Sequence, residues 1–238
     1  MQRQQNNYLL KAKLQEQILD IIRKQIYEVI FSKWTSCSKE REFTTIVPDG
    51  CRDLIVKTVG DQPPQWFVSP LFNQSQLIWS EENTNLVGFR FSPGLEIAEE
   101  KLLNYTTQTN FSSDKFADQL GEFVSVNSSI NEALECLAND GHSINQVSSR
   151  LGVSTRTLQR FILKKTGRTP SYWFQLARVR KAAKELTGSA GLSNIADSHG
   201  FSDQSHMNRE FQKWFNTTPL EFRHSPDLIC QINETGYG

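Results

Sequence analysis

Apolar residues are spaced differently in the two halves of the chain. Between about residues 43 and 91, short apolar runs alternate with turn signals. Runs at 43–47 and 51–58 flank Pro48-Asp49-Gly50. Gly60-Asp61-Gln62-Pro63-Pro64 follows, and further runs lie at 65–68, 76–79 and 85–91. β-Branched and aromatic runs of this length between turn clusters predict antiparallel strands. Ahead of them, Leu10, Leu14, Ile18 and Ile21/Ile22 recur at helical spacing. Ser92-Pro93 reads as an N-cap followed by proline at the first helical position, which predicts a helix to about Leu103. The N-terminal part is thus expected to be α+β, a small antiparallel sheet or barrel plus helices. Residues 104–129 are rich in Asn, Ser, Thr and Gln and place a junction there, with Phe116, Leu120, Phe123 and Val124 suited to a short helix. From Ile130 onward the pattern is helical, broken at Gly141, Gly152, Gly167, Gly188, Gly191 and Gly200.

The helical half contains a repeat. Ile144, Val147, Gly152 and Ser154 match Leu192, Ile195, Gly200 and Ser202 at an offset of 48, and one residue is then gained. Leu158, Arg160, Thr169 and Pro170 match Met207, Arg209, Thr218 and Pro219 at an offset of 49. Each copy reads as helix, glycine turn, helix, the helix-turn-helix pattern. Ser143 with Gln146 forms a capping-box signature, and Ser154 is placed to cap the helix that follows Gly152.

At about 100° per residue, Leu158, Phe161 and Ile162 fall on one side of the second helix of copy one, with Arg156, Gln159 and Arg160 nearly opposite. In copy two, Met207, Phe211, Trp214 and Phe215 form the apolar side. Ser205, Arg209, Gln212 and Lys213 lie opposite it, with Asn208 on the flank. Arg can bind guanine bidentately, and Gln or Asn can bind adenine, so these faces suit a major groove. The plainer alternative, an ordinary solvated face, must explain the same arrangement twice, each time behind a glycine turn. Between the copies, residues 171–187 predict one helix with a stripe of Tyr172, Trp173, Leu176, Val179, Ala183 and Leu186, and with positive charge from Arg178, Arg180, Lys181 and Lys184. It would be about 25 Å long, a rigid spacer for recognition helices one DNA turn of about 34 Å apart.

Composition sharpens this picture. The 238 residues balance 26 basic against 26 acidic side chains, but unevenly. Residues 1–128 carry −3, residues 129–225 carry +5, and residues 226–238 carry −2. A basic helical half beside an acidic one points to a polyanionic partner for the former. No apolar run approaches a membrane span, and no secretory signal precedes the strands, so a cytoplasmic protein is expected. Cys37, Cys51, Cys136 and Cys230 lack metal-site or disulfide-framework spacing. No cofactor and no metal are expected.

Residues 130–224 resemble the DNA-binding domain of the AraC/XylS family of bacterial transcription regulators. The most specific stretch is IADSHGFSDQSHMNREFQKWFNTTPLEFR (195–223), and VSSRLGVSTRTLQRFILKKTGRTPSYW (147–173) matches in register. The resemblance implies base-reading positions at Arg156, Gln159 and Arg160, then at Gln204, Ser205, Asn208 and Arg209. Gln204 rests on the resemblance alone. Phosphate contacts are expected from Ser154, Thr155, Lys164, Ser202 and Lys213. Leu163 and Gln212 stand where the family usually has Lys, and Asn216 where it usually has Gly. IVPDGCRDLIV (46–56) and VGFRFSPG (87–94) resemble a small domain found ahead of such DNA-binding parts. Family architecture implies an effector-sensing or dimerising role for it, with RNA polymerase as a further partner.

The expected organisation is a sensing or dimerisation domain at 1–125, a double helix-turn-helix domain at 126–225 and a tail at 226–238. Asp49, Cys51 and Asp53 form a candidate catalytic group, against a plain reading as turn and strand residues. All four histidines (His142, His199, His206, His224) lie in the other half, so no activating base accompanies the thiol. Trp66, Phe67, Phe72, Trp79, Phe89 and Phe91 either line a ligand pocket or form plain core. The expected function is sequence-specific binding of duplex DNA as a transcriptional activator or repressor, not catalysis. Two rivals stay open: a repair-associated methyl acceptor, which needs a zinc-bound cysteine cluster, and a helix-turn-helix module that binds protein.

Overall fold

The computed structural model describes residues 30–108, 119–139 and 143–238, with backbone only at Ile30 and Phe31. The Leu10–Ile22 pattern, Phe116, Gly141 and His142 fall outside the described residues. Strands β1 (Ile30–Ser38), β6 (Thr84–Phe91), β3 (Arg52–Val59) and β4 (Gln65–Val68) form an antiparallel sheet in the order β1-β6-β3-β4. Strands β2 (Glu42–Ile46) and β5 (Gln76–Ser80) pair as a separate ribbon, and β7 (Glu96–Ile97) pairs with β8 (Val124–Ser125). Among the described residues the sheet is open, with β1 and β4 at its edges.

One expectation needs correction here. The helix predicted from Ser92-Pro93 begins later, as α1 (Glu99–Gln108). Pro93 and Gly94 make a turn, with Gly94 at φ +81°, and the chain then pairs Glu96 and Ile97 with Ser125 and Val124 before turning helical. Strand β1 carried no alternation signal because Lys33, Thr35, Ser36 and Cys37 are all exposed; its pairing with β6 creates it. Phe89 and Phe91 belong to the sheet's core with Leu54, Leu102 and Leu120, whereas Phe67 and Trp79 are exposed. The aromatics weighed as a pocket lining therefore do not converge.

The helical part comprises α2 (Ser128–Asn139), α3 (Ile144–Arg150), α4 (Thr155–Thr166), α5 (Pro170–Glu185), α6 (Leu192–Ser198), α7 (Gln204–Phe215), α8 (Pro219–Arg223) and α9 (Pro226–Asn233). Its core gathers around α5, whose Trp173, Leu176, Val179, Ala182 and Ala183 are fully buried. The last residues do not trail off as a tail. Ile232 of α9 and Tyr237 join this core, with Leu228 and Ile229 packed against it. The Tyr237 hydroxyl donates to the Leu134 carbonyl at 2.8 Å.

Val47, at the end of the N-terminal ribbon, also belongs to the helical core. Behind it the Pro48-Asp49-Gly50 turn closes onto α5. Gly50 has φ +73°, and a Cβ there would sit 2.8 Å from Cβ of Tyr237 and 3.1 Å from the Trp173 ring. Any side chain would push the turn off the helix.

Candidate nucleic-acid interface

Helix α4 begins at Ser154, whose hydroxyl accepts from the Thr157 N–H at 3.1 Å, and ends at Gly167 in the left-handed conformation. Leu158 and Ile162 are buried, while Arg156, Gln159, Arg160 and Lys164 are exposed. Helix α7 begins at Asp203, whose carboxylate accepts from the His206 N–H at 2.6 Å, and ends at Asn216 in the left-handed conformation, φ 56°. Met207, Phe211, Trp214 and Phe215 are buried, while Gln204, Ser205, Arg209, Gln212 and Lys213 are exposed. Asn208 is half-buried, and its Oδ1 is enclosed without a hydrogen-bond partner. The angular pattern and the burial agree at Arg156, Gln159, Arg160, Ser205, Arg209, Gln212 and Lys213, and Gln204, expected from the resemblance alone, is exposed as well.

The first residue of each of these helices staples it to the preceding one. The Thr155 hydroxyl donates to Asn145 Oδ1 at 3.1 Å and meets Ser148 Oγ at 3.0 Å. At the equivalent place in the second copy, the Ser193 hydroxyl donates to Gln204 Oε1 at 3.2 Å. Thr155 is therefore half-buried and committed to its own module. Ser202 lies one residue before the α7 cap, and both its N–H and its hydroxyl meet His206 Nδ1, at 3.2 and 3.1 Å. Asp203, not Ser202, is the counterpart of the Ser154 cap. The residue gained in the repeat lies between the turn and the cap, a signal present in the sequence. Lys213 donates to Gln175 Oε1 at 2.8 Å and sits 3.8 Å from Glu210.

The basic residues of α5 are spent internally. Arg180 is fully buried and donates to the carbonyls of Pro48 at 3.1 Å, Ile232 at 3.4 Å and Glu234 at 3.5 Å. Burial lowers its pKa, and the nearby Asp49 opposes that shift. Lys184 donates to the Gly238 carbonyl, and Lys181 to the Ala138 carbonyl and to Asn139 Oδ1. Arg178 lies over the Phe201 ring and donates to the Gly200 carbonyl at 3.4 Å. At the other end, Glu185 meets His199 Nε2 at 2.6 Å. The spacer helix is thus bonded to the second module's turn and to the N-terminal part.

The same junction explains Asp49, Cys51 and Asp53. Arg90 reaches Asp49 at 3.0 Å and Asp53 at 3.2 Å, and the Trp34 indole N–H donates to Asp53 at 3.0 Å. Burial raises the Asp49 pKa, and Arg90 partly offsets the rise. Burial, then the Asp49 charge, pushes the Cys51 thiol well above its ordinary value. A thiol held neutral is a poor nucleophile, so the cluster fits a structural clamp. Among the described residues, no group of three or more His, Cys, Asp and Glu is placed to hold a metal, and no helix is long and apolar enough to cross a membrane.

Comparison with known proteins places this interface in context. A family profile described as a helix-turn-helix domain matches residues 147–225. The transcriptional activator RhaS of Escherichia coli O1:K1 is 37% identical over 86 residues, 36% of this chain and 31% of that protein. The chain thus matches about a third of the length of this relative. The PqrA protein of Proteus vulgaris is 35% identical over 96 residues, 39% of this chain and 79% of that protein. Among solved structures, ToxT from Vibrio cholerae O395 is 14% identical with a TM-score of 0.45, covering 82% of this chain and 98% of that one.

Proposed function

The chain belongs to the AraC/XylS family of transcription regulators, and from that premise we propose that it binds duplex DNA sequence-specifically, inserting α4 and α7 into adjacent major grooves. The observation that carries the reading is the duplicated polar face, exposed at equivalent positions of two capped helices. Arg156, Gln159 and Arg160 read one block of bases, and Gln204, Ser205, Asn208 and Arg209 read the other. The enclosed, unpartnered Oδ1 of Asn208 suits a side chain that turns outward to meet a base edge. Ser154, Thr155, Lys164, Ser202 and Lys213 border the phosphates, with Lys164 the freest to serve. Helix α5, at 16 residues about 24 Å long, sets the separation.

In this reading residues 126–225 form the DNA-reading unit and residues 1–125 the regulatory one. The protein works in the cytoplasm as a binding protein, not an enzyme, with RNA polymerase as the partner through which it activates. The exposed Phe43, Leu77 and Trp79 on one face of the β2–β5 ribbon suit a homodimer contact.

Selection of bound sequences from random duplexes tests the reading. Two different blocks about one helical turn apart are expected, with an affinity that falls linearly in log–log plots against salt. Salt-independent binding, or selection of a single short block, would count against insertion of both helices.

A further inference from the structure

The loop between β4 and β5, residues 69–75, belongs to the N-terminal half, yet its far part is bonded to the helical half. Its base is fixed to β3. The Asp53 N–H donates to Ser69 Oγ and the Ser69 N–H to the Asp53 carbonyl, both at 2.8 Å, and Arg52 Nε donates to the Ser69 carbonyl at 2.9 Å. Beyond that base the loop lies along a row of three side chains. The Arg168 guanidinium, just past the end of α4, stands 5.2 Å from the centre of the Tyr172 ring. That ring meets the ring of Trp214, near the end of α7, at 5.4 Å between centroids. The loop bonds each member of the row in turn. The Leu71 carbonyl accepts from Arg168, the Phe72 carbonyl accepts from the Tyr172 hydroxyl at 2.9 Å, and the Ser75 N–H donates to the Trp214 carbonyl at 2.8 Å. Asn216 Nδ2 closes the end by donating to the Ser75 carbonyl at 3.0 Å. Leu71 packs against the helical core, and Ser75 is buried. The C-terminal ends of α4 and α7 are thus joined through one loop of the other half.

We propose that this loop is a positioning element for DNA reading: it holds the ends of α4 and α7 at one separation, and the N-terminal half thereby selects the spacing between the two blocks of the DNA site. This rests on the function proposed above. Arg168, Tyr172 and Asn216 are the positioning residues, and they act through α4 and α7. The magnitudes suit the role. Successive base pairs are about 3.4 Å apart. An N–H···O bond spans only about 2.7–3.2 Å, so the loop's bonds tolerate a helix-end shift several times smaller than one base step. Each recognition helix also packs against α5. A helix held along one line can still rock about it, and a second tie at its end removes that motion.

The double variant Tyr172→Phe with Asn216→Gly removes two of the loop's bonds and keeps the ring row and the left-handed turn at residue 216. Full-length wild type and variant are compared on duplexes carrying the two selected blocks at the selected spacing and at one base pair more or less. The variant should lose about threefold to tenfold of the preference for the selected spacing, the worth of one or two hydrogen bonds. It should bind a single block as wild type does. Tyr105→Phe, which removes a bond to Gln119 within the N-terminal half, should leave the preference unchanged. Hydrogen exchange of the full chain without DNA reads the loop separately. The Ser75 N–H should be protected in wild type and should exchange faster in the double variant. A fast-exchanging Ser75 N–H in wild type would overturn the tie itself. An unchanged spacing preference in the double variant, or equal weakening at every spacing and on the single block, would overturn its role in spacing. If wild type distinguishes no spacings while Ser75 is protected, the reading of two inserted helices fails, and the spacing role fails with it.

Discussion

The two helix-turn-helix copies share a backbone frame, and their second helices diverge at both ends and beneath. Helix α4 starts at a neutral hydroxyl, Ser154, buries the aliphatic Leu158 and Ile162, and ends at Gly167. Helix α7 starts at a carboxylate, Asp203, buries Met207, Phe211, Trp214 and Phe215, and ends at Asn216. A carboxylate cap satisfies the same N–H group as a hydroxyl does, but it neutralises the positive end of the helix dipole that would attract phosphate. The anchors differ too. Helix α4 is tied to β7 through Lys165 and Glu96. The end of α7 is held by Ser75, whose N–H donates to the Trp214 carbonyl at 2.8 Å and whose carbonyl accepts from Asn216 at 3.0 Å. Duplication kept the geometry that aims a helix and let the electrostatics of its ends drift. On this reading α4 supplies more of the phosphate grip, and α7 more of the stability.

The stability side of that contrast is open to the largest effect. Phe211 is fully buried and meets Phe215 and Phe222 edge-on, at 5.2 and 5.8 Å between ring centroids. Phe211→Ala should cost about 3–5 kcal/mol, against about 1 kcal/mol for Ile162→Val in α4. Urea unfolding of the full-length variants measures both, and comparable midpoints for the two would remove the contrast.

Specificity should divide evenly. Arg160→Ala and Arg209→Ala should each lose about 1–3 kcal/mol of discrimination, each at its own block of the selected site. Lys164→Ala should instead weaken all duplexes alike and reduce the salt slope by about 1. Equal losses of Arg160→Ala on selected and random duplexes would show that this residue grips backbone.

Exchanging the caps tests the electrostatic argument at constant geometry. Asp203→Ser should strengthen binding to random duplexes by about twofold to fivefold, and Ser154→Asp should weaken it by a similar factor. Ser154→Ala, which removes the cap, should cost about 1 kcal/mol of stability. If the two exchanges move affinity in the same direction, the dipole account of the difference fails.

The smallest effect belongs to the helices that follow. Thr218 caps α8 with a full capping box, in which Glu221 accepts from the Thr218 N–H at 2.9 Å. The equivalent position after Thr169 is Tyr172, so α5 has no such acid. The Thr218 N–H, then the hydroxyls of Thr218 and Thr217, hold Glu221 below the usual glutamate value of 4.5. A depressed acid stabilises the fold fully above its unfolded pKa and loses that contribution as pH falls through the folded one. Thermal melts of wild type should therefore lose a small increment on acidification below pH 4.5. Glu221→Gln should lack that increment. Identical pH profiles would show the box to be inert.

The legibility of the molecule followed the range of its contacts. The strands at β2, β3, β4, β5 and β6 and the helices from α2 to α8 carry their own period or caps, and the sequence pattern finds them. Thr169-Pro170 and Thr218-Pro219 mark helix starts with local chemistry alone. The signal of strand β1 lies in its partner: the polar β1 is a strand only because β6 offers it an edge. Helix α9 carries a local signal, Pro226 at its start and Leu228, Ile229 and Ile232 at helical spacing, but only the fold shows that this short stripe meets the helical core. At the interface, the exposed positions Arg156, Gln159, Arg160, Ser205 and Arg209 followed from the angle around a helix. That angle reports which face is apolar and says nothing of what an exposed side chain touches. Thr155, Ser202 and Lys213 proved to have partners within the protein.

What the sequence by itself determined is therefore the pair of amphipathic, capped helices and their duplication, since periodicity, turn glycines and N-caps act within a few residues of one another. The tertiary structure alone decided how the two halves are joined. Arg180 appears in the sequence as one more cation on a basic helix. In the fold it is buried, bound to carbonyls from Pro48 on one side and Ile232 and Glu234 on the other. A buried guanidinium is tolerable only where acceptors converge on it. Those acceptors come from residues 132 and more than 50 positions away, beyond the reach of any local pattern.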